Sequence, residues 1–277
     1  MTALRIAVGF KVTPDYEALR PADWARAATG PSAHGEAVRY VRRVFNVFDE
    51  AALELALRLR DARTERGLET SLVAFSVAGR EADPFLATLQ ALGYEGARVE
   101  PDADLDFAPA TTAALVAAAT RHLGGEVLLL GSRCGPGDTG LVPFLAAEAL
   151  GRPSLPGVTA VEPAADRLRV TFSAGDQPLR ATIAPPCVLA VGNALVSLLR
   201  VPTLKDRLAT RDRVVTTLTP ADLGVDVPAA LSREPSALVG LETIDRSRAG
   251  VVVAGASPAE EARALYEEHL HARLERI

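Results

Sequence analysis

The residues with the clearest chemical potential lie between Glu126 and Leu150. Residues 127–130 form a short apolar run, suited to a strand buried on both faces of a parallel sheet. Gly131, Gly135 and Gly137 follow, with Ser132, Arg133, Cys134, Asp138, Thr139 and Gly140 among them. From Thr139 onward apolar residues recur at helical spacing, and Pro143 stands where a missing N–H costs least. A strand, a glycine-rich loop and a helix start make an anion site or an ordinary βα connection. The pattern is neither GxxxxGK[ST] nor GxGxxG. Arg133 reads as a phosphate partner or an exposed loop arginine. Asp138 reads as a helix cap or an acceptor for a ribose hydroxyl. Cys134, beside Arg133, is an activated thiol or a small loop residue.

Composition narrows the chemistry. Lys and Arg number 30 against 35 Asp and Glu, a formal charge of −5, which disfavours nucleic acid as a partner. No apolar run reaches membrane-spanning length, and the start carries no basic-then-apolar signal. Cys134 and Cys187 make neither a disulfide framework nor a metal site, so a reducing cytoplasm is expected. HExxH, GxSxG and a telling Cys/His spacing are all missing from the sequence, so no catalytic or metal-ligating set is assigned.

Several elements must position the loop. Residues 4–12 read as a strand in which Gly9 allows a ligand, or a packed helix, to lie against the backbone. Residues 46–60 read as a helix entered at Asn46-Val-Phe-Asp49, with Asn46 or Asp49 as its cap and Glu54 paired with Arg58 on its wet side. Strands are expected at 69–77 and 97–99, and helices at 81–92 and 108–123. This alternation predicts a doubly wound, mostly parallel α/β sheet whose ligand lies beyond the strand ends, near Gly9, Val77 and Gly131. Short strands at 159–161, 168–172, 179–183 and 188–191 predict an antiparallel extension, with a hairpin turn at 164–166. Residues 200–213 carry Arg200, Lys205, Arg207, Arg211 and Arg213 on a surface helix. Residues 219–255 have few large apolar side chains and read as an extended C-terminal arm that needs another surface. A final helix opens at Ser257-Pro258. The expected division is 1–218 for the α/β domain and 219–277 for the arm and last helix.

Five stretches in order resemble the beta subunit of electron-transfer flavoproteins. They are Asn46-Val-Phe-Asp-Glu50, Leu129-Leu-Gly131 with Gly137-Asp-Thr-Gly140, Pro202-Thr-Leu204, Asp222-Leu-Gly-Val-Asp226 and the final helix. The resemblance implies an adenine nucleotide alpha hydrolase-like fold and an arm that embraces an alpha subunit in a heterodimer. It implies a redox FAD held mainly by the alpha subunit, and AMP, or a second FAD in its place, in the beta subunit. It puts Gly9, Asn46, Val47, Phe48, Asp49, Val77, Gly131, Ser132, Arg133, Gly137, Asp138, Thr139 and Gly140 at the nucleotide. It sets Tyr16 near the redox flavin, and Leu195, Val196, Arg200, Arg207 and Arg211 at the docking surface for a flavin dehydrogenase. A second flavin would stack on Phe48 or Tyr16. The loop is shorter than the family's usual one and lacks its acidic run and its Asn-Gln pair. Residues 194–200 lack the usual polar pattern.

The function so implied is electron carriage from a flavin dehydrogenase to an acceptor, in which the cofactor supplies the chemistry and the chain supplies position. The rival readings are a stand-alone adenine-nucleotide-binding or sensor protein, and a structural subunit whose nucleotide site has decayed.

Overall fold

Strand β1 (Leu4–Gly9) sends Ile6 and Val8 to one face and Ala7 to the other, all fully buried. Strands β4 (Thr70–Val77) and β6 (Val127–Gly131) divide their side chains the same way, Leu72 and Leu129 against Val73 and Leu128. A sheet with two apolar faces needs a cover on each side. Helices α2 (Val47–Thr64) and α3 (Asp83–Ala91) cover one, through Leu53, Leu57, Leu86 and Leu89. Helices α4 (Pro109–His122) and α5 (Val142–Leu150) cover the other, through Leu115, Val116 and Ala146. The computed structural model describes residues 3–27, 35, 37–135, 138–175, 177–194, 198–235 and 250–275.

The remaining elements, in chain order, are β2 (Val12–Pro14), α1 (Pro21–Ala27), β3 (Arg43–Phe45), β5 (Glu95–Val99), β7 (Ser154–Ala164), β8 (Arg167–Ala174), β9 (Gln177–Ile183), β10 (Cys187–Val191), α6 (Leu204–Thr210), β11 (Thr216–Leu218), α7 (Val227–Leu231) and α8 (Pro258–Leu265). Among the described residues the main sheet runs β11-β5-β4-β1-β6-β10-β7-β8-β9. Pairing is parallel from β11 through β7 and antiparallel across β7–β8 and β8–β9. The doubly wound, mostly parallel α/β architecture is therefore present. The antiparallel extension is narrower than expected: β10 lies parallel between β6 and β7 and is buried at every residue. From β1 the chain winds outward through β4 and β5, then returns to the opposite flank of β1 as β6. That reversal makes a topological switch point at the carboxyl ends of β1 and β6. The predicted turn at 164–166 joins β7 to β8, with Ala165 at φ 52°.

The chain divides into two compact units, Met1–Leu241 and Glu242–Ile277. The first part of the expected arm packs on its own chain: Leu223, Val225, Val227 and Leu231 join the core beneath α4. Glu234 accepts hydrogen bonds from Ala110 N (3.0 Å), Thr111 N (3.0 Å) and Thr111 Oγ1 (2.9 Å), and so caps α4 from a distance in sequence. In the second unit Ser257 caps α8 through Glu260 N, with Pro258 in the first turn. A π-helical turn, Tyr266–Leu270, then leads into His271–Leu274.

Candidate functional site

The carboxyl ends of β1, β4 and β6 open on a cavity of about 370 Å³ at the switch point. Asp49, in the first turn of α2, builds its floor. Its side chain is 5% exposed, and it accepts hydrogen bonds from Gly131 N (2.7 Å) and Lys11 N (2.9 Å). One carboxylate thus fixes the end of β6 and the chain leaving β1. Burial raises its pKa to about 6, against the opposing pull of those two N–H groups and of Asn46. Gly131 is required at this junction, because a Cβ there would collide with Asp49 Oδ1 and stand 2.9 Å from Phe48 Cβ. A Cβ on Gly9 would sit 2.5 Å from Leu130 Cδ2.

Asn46 occupies the N-cap position of α2, but neither it nor Asp49 caps the helix with a side-chain bond. The Asn46 amide instead donates to Arg133 O (2.8 Å), tying the glycine loop to the start of α2. Ser132 N donates to Val191 O (2.8 Å), and Asp138 N to Cys134 O (3.1 Å) with Asp138 at φ 35°. Asp138 lies 3.8 Å from Arg133, both more than half exposed, and α5 begins without a side-chain cap. The Asp138 carboxylate is therefore an arginine partner and not a helix cap. Thr139 and Gly140 line the cavity, and among the described residues their N–H groups meet no acceptor. Those two groups suit an anion that can approach a backbone without side chains in its way. Cys134 is not an activated thiol, since burial pushes it up to about 12, with Asp49 adding to the effect.

The opposite wall is the connection from β5 to α4. Asp104 accepts from Asp106 N (2.8 Å), Asp106 pairs with Lys11 (3.4 Å), and Phe107 is held at φ 63°. A bulky residue in the left-handed region is a strained feature of the kind that gathers at ligand sites. Arg43, from β3, also lines the cavity and makes no ion pair among the described residues. Carboxylates outnumber cations on these walls, yet Asp49, Asp106 and Asp138 are already engaged by the chain. Arg43 and the N–H groups of Thr139 and Gly140, unmatched among the described residues, remain for a phosphate, and Asp104 for a hydroxyl.

Of the residues expected at the site, Gly9, Asp49, Val77, Gly131, Ser132, Arg133, Asp138, Thr139 and Gly140 line this one cavity. Asn46 and Phe48 support it from behind. Val47 is 61% exposed and outside the lining. Gly137, Leu195 and Val196 fall outside the described residues. Tyr16 stacks on Trp24 at 5.7 Å, and burial, then Asp106, raises its phenol above the ordinary value. Sequence reasoning missed Lys11, Arg43 and the 101–109 wall. The available signal was Pro101 and three aspartates between a strand and a helix.

Arg200 is not a free cation. It holds Glu54 (2.9 Å) and Asp61 (2.7 Å), and Glu54 is 4% exposed at its side chain, not on the wet side of α2 as expected. The segment carrying Leu199 and Arg200 folds over that face, donating from Leu199 N to Glu50 and from Arg200 N to Glu54. Arg207 touches Thr88 (3.4 Å) and Arg211 pairs with Asp212 (3.3 Å), both at the surface. Among the described residues no cluster of His, Cys, Asp and Glu could hold a metal, and no helix is long and apolar enough to cross a membrane.

Residues 37–223 match the family model described as "Electron transfer flavoprotein domain". The chain is 29% identical over 275 residues to the Escherichia coli (strain K12) protein named "Putative electron transfer flavoprotein subunit YgcR", covering 98% of this chain and 100% of that one. It is 28% identical over 188 residues to the "Electron transfer flavoprotein subunit beta" of Mycobacterium tuberculosis (strain ATCC 25618 / H37Rv), covering 66% and 69%. The protein of the same name from Mycobacterium leprae (strain TN) is 25% identical over 186 residues, covering 66% and 70%.

Proposed function

The chain belongs to the electron transfer flavoprotein family, and on that premise we propose that it is the beta-type subunit of a heterodimeric carrier, with AMP in the switch-point cavity. The observation that carries the nucleotide assignment is the cavity itself. At about 370 Å³ it lies at the small end of ligand pockets, the right scale for a mononucleotide rather than a second FAD. The residues fit the group: Thr139 N, Gly140 N and Arg43 for the phosphate, Asp104 for a ribose hydroxyl, and Phe75 and Val77 as an apolar slot for adenine.

The redox FAD is held mainly by an alpha subunit, with Tyr16 near it. When bound, that flavin accepts and releases the electrons. This chain's own groups position it and keep the nucleotide loop in register through Asp49 and Asn46. The arm from Glu242 onward embraces the alpha subunit. In support, Leu265, Tyr266, Leu270 and Leu274 of its helical run are between 39% and 54% exposed. A flavin dehydrogenase docks at the apolar surface of Leu198, Val201, Leu204 and Leu208, each at least 57% exposed, with Arg207 and Arg211 at its rim. The heterodimer works in the cytoplasm.

The test is co-expression with an alpha-type subunit followed by an absorption spectrum. Co-purification at one to one with flavin bands is expected. A chain that purifies alone, folded to its C-terminus and binding AMP without a partner, supports the stand-alone nucleotide-binding reading instead.

A further inference from the structure

A second polar cleft lies on the far flank of the same unit, where α3, β5, β11 and the chain following α6 meet. Five arginines reach it from separate elements: Arg80 from the turn before α3, Arg98 from β5, Arg207 from α6, and Arg211 and Arg213 from the segment after it. Asp83 is the one carboxylate among the described lining residues, and it is already paired with Arg98. Arg98 is 7% exposed and keeps a buried Nε with no hydrogen-bond partner among the described residues. Arg80 and Arg213 are exposed, and neither forms an ion pair among the described residues. Glu100 also reaches Arg98 (3.7 Å) and Asp212 pairs with Arg211 (3.3 Å), which leaves Arg80, Arg207 and Arg213 with no counter-charge among the described residues of a chain of net charge −5. Like charges gathered on one cleft repel, and an anion bound among them relieves the repulsion.

The frame behind them is fixed. Thr217 pairs with Arg98 across β11 and β5, and Gln90, 4% exposed, donates to Val214 O (3.1 Å). Arginines brought to one cleft by four separate elements suit a compact, multiply charged oxyanion better than a flat acidic surface. We propose that this cleft is a phosphate site, built for a diphosphate or a phosphorylated small molecule and separate from the switch-point cavity. Arg80 and Arg213 would be its principal ligands, with Arg207 and Arg211 at the rim and Arg98 as the buried base.

The test is titration of the purified full chain, with its partner subunit where the two co-purify, using inorganic pyrophosphate in the presence of saturating AMP. Saturable binding that weakens steeply between low and high salt is expected. Arg80→Ala and Arg213→Ala should each weaken it about tenfold or more, the usual worth of a charge-assisted hydrogen bond. Arg169→Ala, on β8 beside Glu162, should leave it unchanged. Repeating the titration with ADP separates a free phosphate from a nucleotide as the source. Pyrophosphate binding that AMP abolishes, or that ignores Arg80 and Arg213, overturns the proposal. So does salt-sensitive association of a flavin dehydrogenase lost in the same two variants without any pyrophosphate binding, which assigns the cleft to an acidic protein surface.

Discussion

Replacing Asp49 with Asn should separate stability from binding. The folded protein holds this carboxylate 5% exposed at the cavity floor, and burial sets its pKa at about 6 against an ordinary 3.8. A raised acid binds its proton more tightly in the fold than in the unfolded chain. Its contribution to stability is therefore greatest at low pH and falls as pH rises through the window from 3.8 to about 6. Between pH 4.5 and 7 that amounts to about 2 kcal/mol, from the ratio of the two titration curves. Urea midpoints for wild type and Asp49→Asn at half-unit steps should show the wild type gaining about 2 kcal/mol on the variant as pH drops from 7 to 4.5. The variant's amide retains one acceptor and turns an NH₂ toward either Lys11 N or Gly131 N, so one buried donor loses its partner. Nucleotide binding should weaken about tenfold or more at pH 7. Parallel pH curves for the two proteins would refute the assignment of the raised pKa to Asp49. Unchanged binding would refute its role as the tie between β1 and β6.

Gly131→Ala should destabilise the fold by about 1–3 kcal/mol in urea titrations, because the new methyl collides with Asp49 at a junction of three elements. Arg200→Ala strands the Glu54 carboxylate, which Arg200 and Arg58 hold below its usual range against the cost of burial, and should cost about 2 kcal/mol at pH 7. That cost should shrink as pH falls below 4.5, where Glu54 takes up a proton in the unfolded chain, and an undiminished cost at pH 3 would count against the ion pair. Glu234→Ala should cost about 1 kcal/mol through the lost cap on α4, read as a lower thermal midpoint. Cys134 should react slowly with a disulfide reagent at pH 8, as a thiol of pKa about 12 supplies little thiolate, and rapid labelling would contradict its burial.

The central strands were legible because each carries apolar residues on both faces, a pattern that burial in a parallel sheet imposes on the residues themselves. The switch-point residues followed from them, since Gly9, Val77 and Gly131 stand at strand ends. What stayed hidden came from contacts between distant segments. Glu54 and Arg58 at i,i+4 look like a solvated pair, and only the arrival of Arg200, 146 residues later, buries the glutamate. Asn46 has the chemistry of a helix cap, but the loop at Arg133 takes its amide. The 101–109 wall lacks periodicity, and its place at the cavity depends on where β5 ends and on Glu234 holding α4.

Cofactor released by denaturing the purified heterodimer tests the nucleotide assignment most directly. One FAD and one AMP per dimer are expected from the wild type, with FAD retained and AMP lost in a Gly131→Val heterodimer. Two FAD per dimer, or AMP that survives Gly131→Val, would contradict the placement of a mononucleotide at the ends of β1 and β6.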